Sequence, residues 1–177
     1  MLTAPRHVRQ PGPPRAARVE TAVVPQTGRA LVSLPPGATL FDALARAFGR
    51  YDQTHGAFVL LGGELGVAAY HTGGWLPHDP GRVGYGPAKH VAGPVQVVHG
   101  HGSFGRSLAG QPFVHVHAAF AEADGRLRAG HLPPETCTAG PRGLRGLLTF
   151  GAGFAQVADA ETGFVLFVPQ ARAGCDA

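Results

Sequence analysis

The chain has 177 residues, 44% of them hydrophobic and 15% charged, with a formal net charge of +4. That length suits one domain with a real core, and the composition describes a globular protein rather than a disordered or fibrous one. No apolar run reaches the roughly 18 residues of a membrane span, and no apolar segment follows the N-terminal arginines as a secretory signal would require, so a cytoplasmic location is expected.

Residues 1–18, "MLTAPRHVRQPGPPRAAR", lack hydrophobic periodicity and read as a flexible basic Pro/Arg-rich arm. The arm holds Arg6, Arg9, Arg15 and Arg18, and the body beyond it is close to neutral. A single domain is expected over 19–170, with a frayed tail over 171–177. "RVETAVV" and "RALVSL" have strand composition on either side of the turn signal "PQTG". The period then switches. Leu40, Leu44, Ala47 and Tyr51 recur at helical spacing, with Phe41 and Phe48 widening the stripe, which predicts a helix over about 39–52. Thr39 suits its N-cap, and Asp42 lies where the helix dipole favours a carboxylate.

"GAFVLLGGEL" and "GVAAYHT" read as two buried strands, and residues 77–92 as a polar loop with three prolines. "PVQVVHGH", "PFVHVHAAFAE" and "RLRAGHL" are strands, and two or three more follow in "GLLTF", "GFAQVA" and "TGFVLFVP". The sum is an α+β domain: a central, mostly antiparallel sheet with one main helix. Cys137 and Cys175 make no disulfide framework and are expected as free thiols.

The stretch "PFVHVHAAFAEADGRLRAGHL", residues 112–132, carries the chemistry. Side chains alternate faces along a strand. Val114, Val116, Ala118 and Phe120 therefore form a core side, while His115 and His117 project together from the other face, about 7 Å apart at Cα. The turn decides whether His131 joins them. A three-residue loop, Ala123-Asp124-Gly125 with Gly125 left-handed, pairs Glu122 with Arg126 and sets His131 opposite His117. A two-residue Asp-Gly turn would send His131 to the core side. Composition allows both.

Three neutral imidazoles suit Zn²⁺ and leave a coordination position for water or substrate. The alternative is three unrelated surface histidines. His99 and His101 share a face of the preceding strand and are candidates for a fourth ligand or a partner of the ligands. Cys137 is a weaker candidate ligand, and His55, His71, His78 and His90, in or near loops, earn no role. Glu64 is a candidate general acid or base. Arg106 and Lys89 are candidates for holding an anionic substrate. No nucleophile elbow, phosphate-binding loop or dinucleotide fingerprint is present, so no reaction class is named.

His-x-His followed by an acidic-Gly turn and Gly-His-Leu resembles the signature of the PPC (plants and prokaryotes conserved) domain family. "LPPGATLFDALARAF" is similar to that family's Pro-Gly-then-helix opening, and "VVHGHGSFG" falls where its next core strand belongs. The resemblance runs from about residue 29 to 168. It implies an α+β fold with a central antiparallel sheet, assembly as a homotrimer, and zinc held at His115, His117 and His131. Prokaryotic members often carry a "putative DNA-binding" label, because plant relatives join the domain to AT-hook segments. This chain has no Arg-Gly-Arg-Pro core, and it has "GPVQVV" where plant members show a Gly-Arg-Phe-Glu-type stretch. Three functions follow in order: a metal-centred site for a small molecule, catalytic or sensory; a structural trimer fastened by the ion; and a DNA-associated trimer using its basic arm.

Overall fold

Alternating burial organises the molecule. A computed structural model describes residues 7–16, 21, 28–151 and 153–170. In chain order the elements are β1 (Arg29–Leu34), α1 (Leu40–Gly49), β2 (Gly56–Tyr70), β3 (Gly73–Leu76), β4 (Asp79–Tyr85), β5 (Lys89–Arg106), β6 (Pro112–Ala121), β7 (Leu127–His131), β8 (Thr138–Phe150), β9 (Gly153–Ala158) and β10 (Val165–Gln170). One sheet runs β1-β8-β2-β5-β6-β7, all antiparallel, with β9 and β10 attached beside β5 through a single parallel bridge. The chain is thus mostly β with one short helix, and "α+β" describes it only loosely. None of its helices is long and apolar enough to cross a membrane, among the described residues.

The helix forms where the spacing predicts it. The Thr39 side chain caps it by accepting the Asp42 amide at 3.0 Å, and Leu40, Ala43, Leu44, Ala47 and Phe48 are buried. The helix stops at Gly49, so Tyr51 lies past its end and is half exposed. Phe48 stacks on Phe104 of β5, ring centroids 4.7 Å apart. This packs α1 on the sheet face that also buries Val114, Val116, Ala118 and Phe120. The opposite face is not covered by the helix. Cross-strand registers line up Leu31, Leu147, Val59, His101, His117 and His131 across it in one row.

Several boundaries depart from the expected ones. "GAFVLLGGEL" and "GVAAYHT" form one strand, β2, with register shifts on either side of Gly62 and Gly63 in place of a break. The expected loop over 77–92 contains β4 and the start of β5. β3 and β4 pair as a separate two-stranded sheet, and its Gly and Pro residues hide the strand signal from composition. "RVETAVV", apart from Thr21, and the 171–177 tail lie outside the described residues. Within the Pro/Arg-rich segment, residues 7–16 lie along the body: the Arg9 amide donates to Gly81, the Gly12 amide to Glu161, and the Arg15 guanidinium sits 3.6 Å from Asp159.

The β6–β7 turn is the three-residue one. The Glu122 amide donates to the Arg126 carbonyl, the Gly125 amide donates to Glu122, and Gly125 has φ +82°. Ala121 then faces Leu127, and His117 faces His131. An L side chain at that left-handed position is strained. Gly125→Ala is expected to lower the unfolding free energy by about 1 kcal/mol, read as a lower urea midpoint at unchanged slope.

Candidate metal centre

The register brings His115, His117 and His131 together. Their ligand-type nitrogens all lie within 4.8 Å of one another, and all three residues are half-buried. Nε2 of His115 and Nε2 of His117 are 3.1 Å apart. The His131 ring lies 4.8 Å from that of His115 and 5.3 Å from that of His117, centroid to centroid.

The donor set fits a metal ion. Zinc bonds of about 2.0–2.1 Å to imidazole in tetrahedral geometry put neighbouring nitrogens about 3.3 Å apart. The His115–His117 pair lies close to that spacing, and the His131 nitrogen lies within 4.8 Å of both. Nδ1 of His131 is buried and has no hydrogen-bond partner among the described residues. A polar atom withdrawn from water and left unpaired is costly, and a metal–nitrogen bond would satisfy it. Electrostatics act in the same sense. Burial lowers the His131 pKa to about 4, helped by the neighbouring His115, His117 and His71. Burial, then His117 and His101, lowers that of His115, and burial followed by His101 lowers that of His117. All three rings therefore stand neutral near pH 7, the form that ligates.

Two residues without an assigned role border the centre. His71 pairs with His131 through the backbone, each amide donating to the other's carbonyl at 2.8 and 3.0 Å. Its Nδ1 lies 2.8 Å from the Gly86 carbonyl, which can only accept, so Nδ1 carries the proton. Tyr85 stacks on the His131 ring with centroids 5.0 Å apart. Gly130 permits the bridge, since a Cβ there would run into the His71 carbonyl and the Tyr70 ring. Nothing in the spacing of the chain signals either residue; only the Gly of Gly-His-Leu hints at a close backbone approach.

The other candidates lie elsewhere. The exposed His101 ring stacks beside His117 at 6.2 Å, and His99 lies one step further out, 6.0 Å from His101; neither enters the group of three. Glu64 faces Gln96 across the sheet, five residues along β5 from His101, and its carboxylate lies 3.3 Å from the Arg142 guanidinium. Arg106 is tied to the Gly110 carbonyl, and Lys89 donates to the Thr72 hydroxyl. Cys137 is buried in the core, hydrogen-bonded to the Ala69 backbone, and burial raises its thiol pKa.

The family model of the Plants and Prokaryotes Conserved (PCC) domain matches residues 24–142. The chain belongs to that family. No curated protein matches it. Among solved structures, a metal-containing protein from Archaeoglobus fulgidus shares the fold at TM-score 0.62 and 15% identity, covering 86% of this chain and 99% of its own. A plant- and prokaryote-conserved (PPC) protein from Pyrococcus horikoshii matches at TM-score 0.62 and 16% identity, over 86% of this chain and 97% of its own. A "Putative DNA-binding protein" from Ralstonia eutropha matches at TM-score 0.62 and 19% identity, over 78% of this chain and 89% of its own.

The lowered pKa values give the metal-free protein a pH dependence. A histidine whose pKa is lower folded than unfolded binds its proton more readily in the unfolded chain. Its stability contribution is intact above about pH 6.5 and is lost as the pH falls towards 4. Chelator-treated protein should lose thermal stability over that window, and His131→Gln should lose less. Melting curves at half-unit pH steps check this.

Proposed function

We propose that this PCC-domain protein binds zinc through His115, His117 and His131 and presents the remaining coordination position to a small-molecule ligand or substrate. The observation that carries the reading is the convergence of three half-buried imidazoles, one of which, His131, has a buried and unpartnered Nδ1. A three-histidine set is closed on the protein side and open on the fourth, as a Lewis-acidic or sensory centre requires and a purely structural four-ligand site does not. The name of the A. fulgidus neighbour, a metal-containing protein of the same fold, is consistent with it. Untagged protein prepared without chelators should hold about one zinc per chain by elemental mass spectrometry, and His117→Ala should hold none. Folded wild-type protein free of metal would overturn the reading.

Self-association as a homotrimer goes with this proposal. The sheet face opposite α1 exposes apolar side chains, among them Leu31 at 76% and Leu61 at 54%, which line one shallow depression with Val32 and Arg145. Large apolar side chains grouped on an uncovered sheet face are a common mark of a protein–protein contact. Leu31→Arg should shift the mass measured by light scattering from trimer to monomer while zinc content holds. A DNA-associated role stands behind both readings. It draws on the name of the R. eutropha neighbour and on the four arginines of residues 1–18, of which Arg15 is paired with Asp159 in the folded chain.

A further inference from the structure

A cleft of about 510 Å³ opens beside the histidine centre. Val83 and Tyr85 of β4, Phe113 and His115 of β6, and Phe167 of β10 line it, with the neighbouring Phe164 and Val165. Two contacts join it to the centre: His115 belongs to both, and Tyr85 lines the cleft while stacking on His131. No charged side chain lines it among the described residues, and its polar side chains besides His115 and the Tyr85 hydroxyl are Ser103 and Gln156. Ser103 faces His115 directly across the β5–β6 ladder. Around the mouth Tyr85 is 54% exposed, Val165 46% and Phe164 41%, an apolar rim left in water.

We propose that this cleft takes the aromatic tail of a small monocarboxylate whose head reaches the histidine centre. The inference rests on the metal reading above and names the ligand class for it. Three neutral imidazoles leave a bound divalent ion its full +2 charge, which a carboxylate complements and a cationic head does not. The lining offers a ligand tail dispersion and ring contacts but no partner for a second charge, so a charged tail would be desolvated without compensation. The volume sets the scale: a cavity of about 150 Å³ accommodates one benzene ring, so the cleft has room for a bicyclic ring system with water at its open side. It also falls within the usual range of small-molecule sites.

The test is isothermal titration of zinc-loaded, untagged full-length protein with 1-naphthoate and with acetate, zinc content being measured on the same samples. Naphthoate should bind at least tenfold more tightly than acetate. Val83→Trp and Val165→Trp fill the cleft from two different strands at partly exposed positions. Each should cost at least tenfold in naphthoate affinity while acetate affinity and zinc content stay at wild-type values. Zinc-loaded protein that binds naphthoate no more tightly than acetate, or filled variants that bind it as wild type does, would overturn the cleft proposal and leave the metal reading standing. Protein that takes up no zinc would overturn both, and the zinc measurement tells the two failures apart.

Discussion

The Glu122–Arg126 backbone pair closes a three-residue turn, and the register of the whole β6–β7 ladder hangs on it. Strand side chains alternate with a period of two, so one residue more or less in that turn would carry His131 through the sheet to the helix side. It would then face the buried, apolar side of β6, formed by Val116, Ala118 and Phe120. With Gly125 in the left-handed region the count comes out odd, and His117 and His131 face one another. The hairpin orders the site, and the rest of the fold holds the hairpin: β5 braces it from one side, and the end of β2 meets its far edge through His71.

Crowding gives the centre its character. Each imidazole loses water through burial, and two of the three lie beside several other rings that would repel a proton. A cluster that cannot readily share charge among its own members is ready to receive it from outside. Beside them on β5 stand His101, stacked on His117, and His99 next to it, both in solvent. The polarity of this face is therefore graded, from exposed histidines on β5, through a half-buried triad, to the ring of Tyr85.

The helix and the His115–His117 pair were legible because each rests on local periodicity, a 3.6-residue stripe that begins at the Thr39 N-cap and a two-residue alternation, whereas the place of His131 hung on a turn that composition left open. The β3–β4 hairpin was not legible, because its Gly and Pro residues carry no strand propensity and its pairing is settled by contact rather than composition. The consequence reached the site, since that hairpin delivers Tyr85 and the Gly86 carbonyl that orients His71. Glu64 illustrates the converse. Its carboxylate is a candidate general acid or base for a metal site, but the β2–β5 register sets it beside Arg142, away from the histidines. Distances along a single strand can be counted from sequence, whereas offsets between strands 30 or more residues apart cannot.

The bridge between His71 and His131 also bears on solubility. β7 is a border strand, and the unpaired backbone of such a strand is a template on which other chains can assemble. Here it is short, five residues, and Arg128 on it is engaged by Glu122. Its last residue is already hydrogen-bonded on the outer side by the chain's own β2 terminus. The contact that frames the histidine centre thus also blunts the sheet edge against the wrong neighbour, so that the order of the site and the resistance of this edge to aggregation share one pair of backbone hydrogen bonds.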